Sequence, residues 1–184
     1  ARLNNTFSNS RGGYEIAIAR YNSDGSLDSN FGSGGIVTTA IGLASDWGRG
    51  AHIQADGRIL LAGITSSGTT DFALARYNVN GTLDTSFGGC NGIVVTDIGG
   101  DNDRAYGVVT QADGKILVSG DSWNGTNYDF AIARYNLDGT LDTSFGGGSG
   151  FVTTPIGTSS DVGYEVLVQT DGKILVAGDS GDFA

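Results

Sequence analysis

Repetition constrains this chain more than any other feature. The stretch DFAIARYNLDGTLDTSFG, residues 129–146, has two close copies upstream: YEIAIARYNSDGSLDSNFG at 14–32 and DFALARYNVNGTLDTSFG at 71–88. A further copy begins at Asp182 and reaches only Ala184. The arginine of A-R-Y-N falls at Arg20, Arg76 and Arg134, in steps of 56 and 58. The glutamine of Q-x-D-G falls at Gln54, Gln111 and Gln169, in steps of 57 and 58. A unit of that length is too long for one rung of most solenoids and suits one four-stranded propeller blade. Repetition also narrows function. A catalytic centre is normally one constellation of unlike groups, whereas a residue present in every copy more often serves every copy's fold.

The third unit reads strand by strand. Strands are expected at 105–111 (AYGVVTQ), 115–120 (KILVSG), 129–135 (DFAIARY) and 150–154 (GFVTT). Asp113-Gly114 between the first two predicts a tight hairpin of type I′. The segment 121–128 is expected to be a loop, and the Gly- and Asp-rich segment 136–149 one long turn. Helical spacing appears nowhere, and 32 glycines make long helices implausible. In FAIARY, Phe130 and Ile132 point one way, and Ala131, Ala133 and Tyr135 the other. Ile116 and Val118 likewise oppose Leu117. Both faces are therefore apolar, as in a sheet packed between two others rather than one with a wet face.

The expected fold class is all-β: a β-propeller-like array of four-stranded antiparallel blades, roughly three repeats of 56–58 residues, open at both ends. The divisions are 1–40 (strands three and four of a blade), 41–97, 98–155, and 156–184 (strands one and two). Ala1–Phe7 stands where a second strand belongs but lacks its apolar pattern, so a displaced strand is expected there. The two partial units are complementary halves of one blade. Three blades make too tight a ring, since propellers have four to eight. The expectation is therefore a piece of a longer repeat chain, or copies joined head to tail into a ring or a filament.

FALARYN, D-G-T-L-D-T-S-F-G, G-x-V-x-T and Q-x-D-G-K-I-L-V-x-G, in this order and period, resemble the delta-60 repeat family, a bacterial propeller-type repeat. The resemblance runs from about Glu15 to Ala184. It implies a β-propeller-like fold and secreted or cell-surface placement, and brings no catalytic residues to carry over. The departures are Ala1–Phe7, Asn80 in place of an aspartate, and Cys90-Asn91 in place of small residues.

Charge bears on partners. A net charge of −10 and a pI of about 4.2 argue against nucleic acid or an anionic membrane surface, both of which need basic patches. No apolar run approaches the roughly 20 residues of a membrane helix. Methionine is absent, so a processed or excerpted chain is expected. Cys90 is the single cysteine, which rules out a disulfide within the chain.

Five groups of residues invite chemical readings. Asn22, Asp24 and Asp28 fit the later positions of a calcium loop, but Arg20, Arg76 and Arg134 occupy its first ligand position, where a cation repels calcium. The preferred reading is that these arginines pair with Asp28, Asp84 and Asp142. Asp46, Asp103 and Asp161 precede each first strand; they read either as a ring of carboxylates round a channel or, preferably, as Asx-turns bonding the backbone two residues on. His52 is the only histidine and lacks the partners of a triad or zinc site. Trp47 and Trp123 could stack on a sugar, but they occupy different places in the unit. Asn4, Asn80 and Asn124 each begin N-x-[ST] and are candidate glycan acceptors. The expectation is a non-enzymatic extracellular or cell-surface repeat protein with a structural, adhesive or assembly role. It has no cofactor, and its partners are other copies or further repeats; the alternative is a carbohydrate- or ligand-binding propeller.

Overall fold

A computed structural model describes residues 13–181. The asparagine at Asn4, the displaced strand expected at Ala1–Phe7 and the start of the last copy at Asp182 lie outside the described residues. Twelve strands follow in order: β1 (Ile16–Ala19), β2 (Ile36–Thr39), β3 (Asp46–Ile53), β4 (Ile59–Ser66), β5 (Thr70–Tyr77), β6 (Ile93–Thr96), β7 (Asp103–Thr110), β8 (Ile116–Trp123), β9 (Tyr128–Tyr135), β10 (Phe151–Thr154), β11 (Asp161–Val168) and β12 (Ile174–Ser180). Among the described residues one 3-10 turn is present, at Gly146–Gly148. No helix among the described residues is long and apolar enough to cross a membrane.

All pairings are antiparallel. β3-β4-β5-β6 and β7-β8-β9-β10 form two complete four-stranded sheets, flanked by the two-stranded sheets β1-β2 and β11-β12. The sheets do not close on themselves, so the fold is an open, propeller-like array. The second and third strands outrun the expected ones. The loop expected at 121–128 shrinks to four residues, because Asp121, Ser122 and Trp123 stay in the ladder opposite Phe130, Asp129 and Tyr128. Polar side chains did not end the strand, since the ladder needs only their backbone.

The turns correct the type I′ expectation. At Asp113-Gly114, Gln111 N–H donates to Lys115 O and Gly114 N–H to Gln111 O. Only Gly114 takes positive φ, at 85°. Asp113 instead accepts the Lys115 N–H on its carboxylate. This is a three-residue hairpin in which glycine supplies the left-handed residue after a type I turn. Asp24-Gly25, Asp56-Gly57, Asn80-Gly81, Asp138-Gly139 and Asp171-Gly172 repeat it, with a side-chain oxygen accepting the N–H two residues on.

Each first strand carries a bulge, at Arg49, Tyr106 and Tyr164. The strand opposite is glycine there. A Cβ on Gly120 would stand 2.0 Å from Arg104 O, so no other residue fits without moving backbone.

The core sits between sheets. Leu60, Ala62, Phe72 and Leu74 on one face of the β3–β6 sheet bury against Ile116, Val118 and Tyr135 of the next. Leu61, Ala75 and Tyr77 on its other face bury with Ile16 of β1. Both faces of that sheet are dry, as the alternation required. Each buried Leu, Ile, Val or Phe among them contributes about 1.5–3 kcal/mol, so stacking rather than any single sheet holds the array together.

Candidate functional site

The repeated Arg–Asp pairs build one structure in every unit, a latch that in the first two units reaches across the joint to the next sheet. In the second unit, Arg76 Nε lies 2.7 Å from Asp84 Oδ2. Its guanidinium carbon sits 4.4 Å above the Phe87 ring. Its Nη1 donates across the joint to Leu137 O, in the next unit. Asp84 also accepts from the Ser86 N–H and hydroxyl. Burial pushes the Asp84 carboxyl up, but the Ser86 bonds and the Arg76 charge outweigh it and hold it below the usual range. Arg20–Asp28, with Phe31 beneath at 4.5 Å, and Arg134–Asp142, with Phe145 at 4.6 Å, repeat the geometry. Arg20 Nη1 reaches Val79 O, again one unit on.

The second strand adds another cation: Arg58 Nε is 3.3 Å from Asp84 Oδ2, and Lys115 Nζ bonds Asp142. Two backbone bonds brace the same place, Gly32 N–H to Asn80 O and Gly88 N–H to Asp138 O. The phenylalanines, Leu137 O and Lys115 were missed in the sequence reading. Their signal was the fixed distance of F-G from A-R-Y-N in every copy.

The calcium set does not assemble. Asn22 donates its amide to the Ser26 hydroxyl and Leu27 O, Asp24 accepts from Ser26, and Asp28 is held by Arg20 and the Asn30 N–H. The loop is one of the six hairpin corners, with its oxygens turned to its own backbone.

Asp46, Asp103 and Asp161 are the first residues of their strands, and all three are buried. The expected bonding to the backbone two residues on is not found. Asp46 accepts from Ile41 and Gly42 N–H, Asp103 from Ile98 and Gly99, and Asp161 from Ile156, all upstream. The carboxylate thus ties down the connection arriving from the preceding sheet. That connection takes Oδ2 of Asp103 and of Asp161 and leaves the Oδ1 of each buried without a hydrogen-bond partner.

At the joint between the complete sheets, Asp71, Asp97 and Asp103 bring carboxylate oxygens within 4.8 Å of one another. Among the described residues no basic side chain bonds them. Burial raises the Asp71 pKa, with Asp97 and Asp103 adding to it; burial also raises that of Asp103. A proton or a cation relieves such a cluster.

The remaining candidates are scattered. His52 Nε2 lies 2.8 Å from Thr110 Oγ1 across β3 and β7, and burial lowers its pKa. Asn80 and Asn124 are exposed, but the Asn124 amide is engaged by Asn127 and Asp129. Trp47 lies 6.3 Å from Tyr14, far from Trp123 in the unit. Trp123 packs edge-on to Tyr128 at 5.0 Å and lines a cleft of about 420 Å³ with Asp101, Asn124 and Asp129. Cys90 is exposed and stands at φ 84°.

Repeated antiparallel sheets, packed face to face and latched by the same charged residues, define a β-propeller repeat protein. Residues 6–31, 54–87 and 111–145 match the family described as Domain of unknown function (DUF5122) beta-propeller, and these segments cover more than half of the chain. The chain belongs to that family. No curated protein matches it.

Proposed function

We propose that this chain is a non-enzymatic structural repeat of the delta-60 type, working outside the cell or at its surface in adhesion or assembly. It joins head to tail through its half-blades, into a ring or a filament, and its partners are other copies or further repeats. The observation that carries this reading is the use of the repeated charges. The arginine and aspartate present in all three copies bond each other on their own hairpin, and Arg20 and Arg76 each reach into the following unit. The single histidine is bonded to the Thr110 hydroxyl, and among the described residues no carboxylate bonds its ring. An acidic, lysine-poor surface suits an extracellular setting and keeps nucleic acid away. Light scattering and electron microscopy over a concentration series test it. Growth of particles with concentration is expected; a folded monomer at every concentration defeats it.

A second reading, carbohydrate binding, draws support from the cleft beside Trp123. Asp129 lines it, is 7% exposed, and has an Oδ1 with no hydrogen-bond partner. An aromatic face beside free acceptors is the usual grip on a sugar. Glycan-array binding lost in Trp123→Ala would move the assignment to this reading.

A further inference from the structure

We infer that Asp71, Asp97 and Asp103 hold one calcium ion across the joint between the two complete sheets. Such a site goes beyond the assembly reading above and stands whether or not copies join.

The three carboxylates come from three places in the chain. Asp71 lies on β5, opposite Thr65. Asp97 follows β6 on the connection between the sheets, and Asp103 opens β7. One oxygen from each lies within 4.8 Å of the other two. Asp97 is exposed and is oriented by the Gly100 N–H, which donates to its Oδ1. Asp71 is half-buried.

Acidic side chains often gather without an ion. What sets this group apart is its buried member. Asp103 is 0% exposed, and while its Oδ2 accepts the Ile98 and Gly99 N–H groups, its Oδ1 has no hydrogen-bond partner. In the preceding unit the same oxygen is satisfied, because Thr65 donates its hydroxyl to Asp46 Oδ1 at 2.6 Å. Ser122 takes the place of Thr65 opposite Asp103. Its hydroxyl is near enough to favour the ionised carboxylate but completes no bond to Oδ1. Arg104, the next residue, commits Nε and Nη2 to Asp121. A buried carboxylate oxygen left bare is costly, and a cation among the three acids supplies the missing partner.

The donor set selects the ion. Three carboxylates are hard oxygen ligands, which suit calcium or magnesium rather than zinc, with its nitrogen and sulfur ligands. Calcium accepts oxygens at about 2.3–2.6 Å in a flexible shell, so two oxygens of one shell can stand nearly 5 Å apart. Magnesium demands near-ideal octahedral geometry at about 2.0–2.1 Å. Ligands from three separate segments fit the looser shell, and water completes it on the exposed side at Asp97.

The other joints lack the third acid. Asp129 and Asp161 occupy the places of Asp71 and Asp103 in the next unit, each with a buried Oδ1 that has no partner, but Pro155 replaces Asp97. Ala40 replaces it in the first. Affinity follows the number of charged ligands, so one tight site per chain is expected. Bound there, the ion ties β5 to the start of β7. The N–H and hydroxyl of Thr70 already donate to Asn102 Oδ1 across the same joint. The ligands are therefore held in place before the ion arrives, and the fold does not need it. The metal-free chain is the state in which burial and mutual repulsion raise the pKa values of Asp71 and Asp103.

The test uses the full chain, stripped with chelator. Calcium chloride is titrated by calorimetry, and melting is followed with and without about 5 mM calcium or magnesium, above the roughly 10⁻⁴–10⁻³ M range of extracellular calcium modules. One calcium per chain is expected, with a Tm several degrees higher in calcium and a smaller shift in magnesium. Asp97→Ala gives the second unit the residue that the first already has, so it should fold, as circular dichroism checks. At least about tenfold weaker binding and loss of the Tm shift are expected for it, and the same for the closer mimic Asp97→Asn. Asp24→Ala, in an exposed hairpin corner, should bind as the unaltered chain does. A folded chain with neither heat of binding nor Tm shift overturns the site. So does binding that survives both Asp97 variants, or a loss that Asp24→Ala shares equally.

Discussion

The sheet β3–β6 and the half-sheets at the ends share nearly the same residues at matching positions, yet their burial is opposite. Tyr77 is 1% exposed and Tyr21 62%; Leu60 is 0% exposed and its counterpart Leu175 50%. Nothing local separates them. The strands pair the same way, the turns are the same, and each latch arginine lies on its phenylalanine. The difference is a neighbour: among the described residues the interior sheet has one on each face, and each end sheet has one on a single face. The third sheet is intermediate. Phe130 and Ile132, which face the two-stranded β11-β12, are only half-buried, while Phe72 and Leu74 at the same positions are fully buried. Blade stability here is a property of the stack, as in other one-dimensional repeat arrays.

The latch gives the most direct way to break this comparison. Arg76→Ala removes a guanidinium whose side chain is only 5% exposed and leaves Asp84 buried without its main counter-charge. A loss of about 3 kcal/mol is expected in urea unfolding. Arg20→Ala makes the same chemical change at a solvent-screened end, and a far smaller loss is expected. Equal losses at the two positions would mean that the neighbouring sheet contributes little.

Tyrosine hydroxyls sharpen the contrast. Tyr135→Phe takes away the buried bond to Thr96, with an expected loss of about 1 kcal/mol. Tyr21→Phe leaves the stability of the single chain unchanged and weakens its association, read by sedimentation.

A similar magnitude with the opposite sign is expected at Cys90. Cys90 and Gly148 occupy the same turn position in successive units, both at positive φ. Replacing Cys90 by glycine removes the left-handed strain of a side chain, raising stability by about 1 kcal/mol in the same unfolding assay.

The smallest effect is on pH dependence. Asp84 and Asp142 have folded pKa values below the ordinary carboxylate value. Their contribution is full above the unfolded pKa of about 3.9 and lost as pH falls through the lower folded value. Asp71 and Asp103 are raised, so they destabilise the fold while ionised. That penalty is relieved as pH falls through their folded values towards the unfolded one. Stability is therefore expected to rise from neutrality into mild acid and fall below about pH 4. Asp97→Asn, removing one charge from the cluster, should flatten the rise and leave the fall intact, in urea unfolding over a pH series.

Much of the fold was legible because its causes are local. The D-G and N-G corners, the alternation in FAIARY and the period of the arginines depend on residues a few positions apart. The latch pair itself was readable, since Arg and Asp recur at one spacing on a hairpin. The rest depended on distant chain. Asp103 bonds upstream rather than downstream because the arriving connection presents free N–H groups beside it, and no pattern around Asp103 reports that. Asp97 joins Asp71 and Asp103 only through a joint between sheets, and its counterparts Ala40 and Pro155 give no hint of it.

The sequence by itself determined the strands, their turns and the modular period, because hydrogen-bonded hairpins and side-chain alternation are short-range. Only the tertiary structure decided which copies of the same residue are buried, which charges are screened, and where Arg76 finds its third partner. Those outcomes turn on whether another sheet lies within van der Waals reach, and a repeated sequence says the same thing whether or not that neighbour is there.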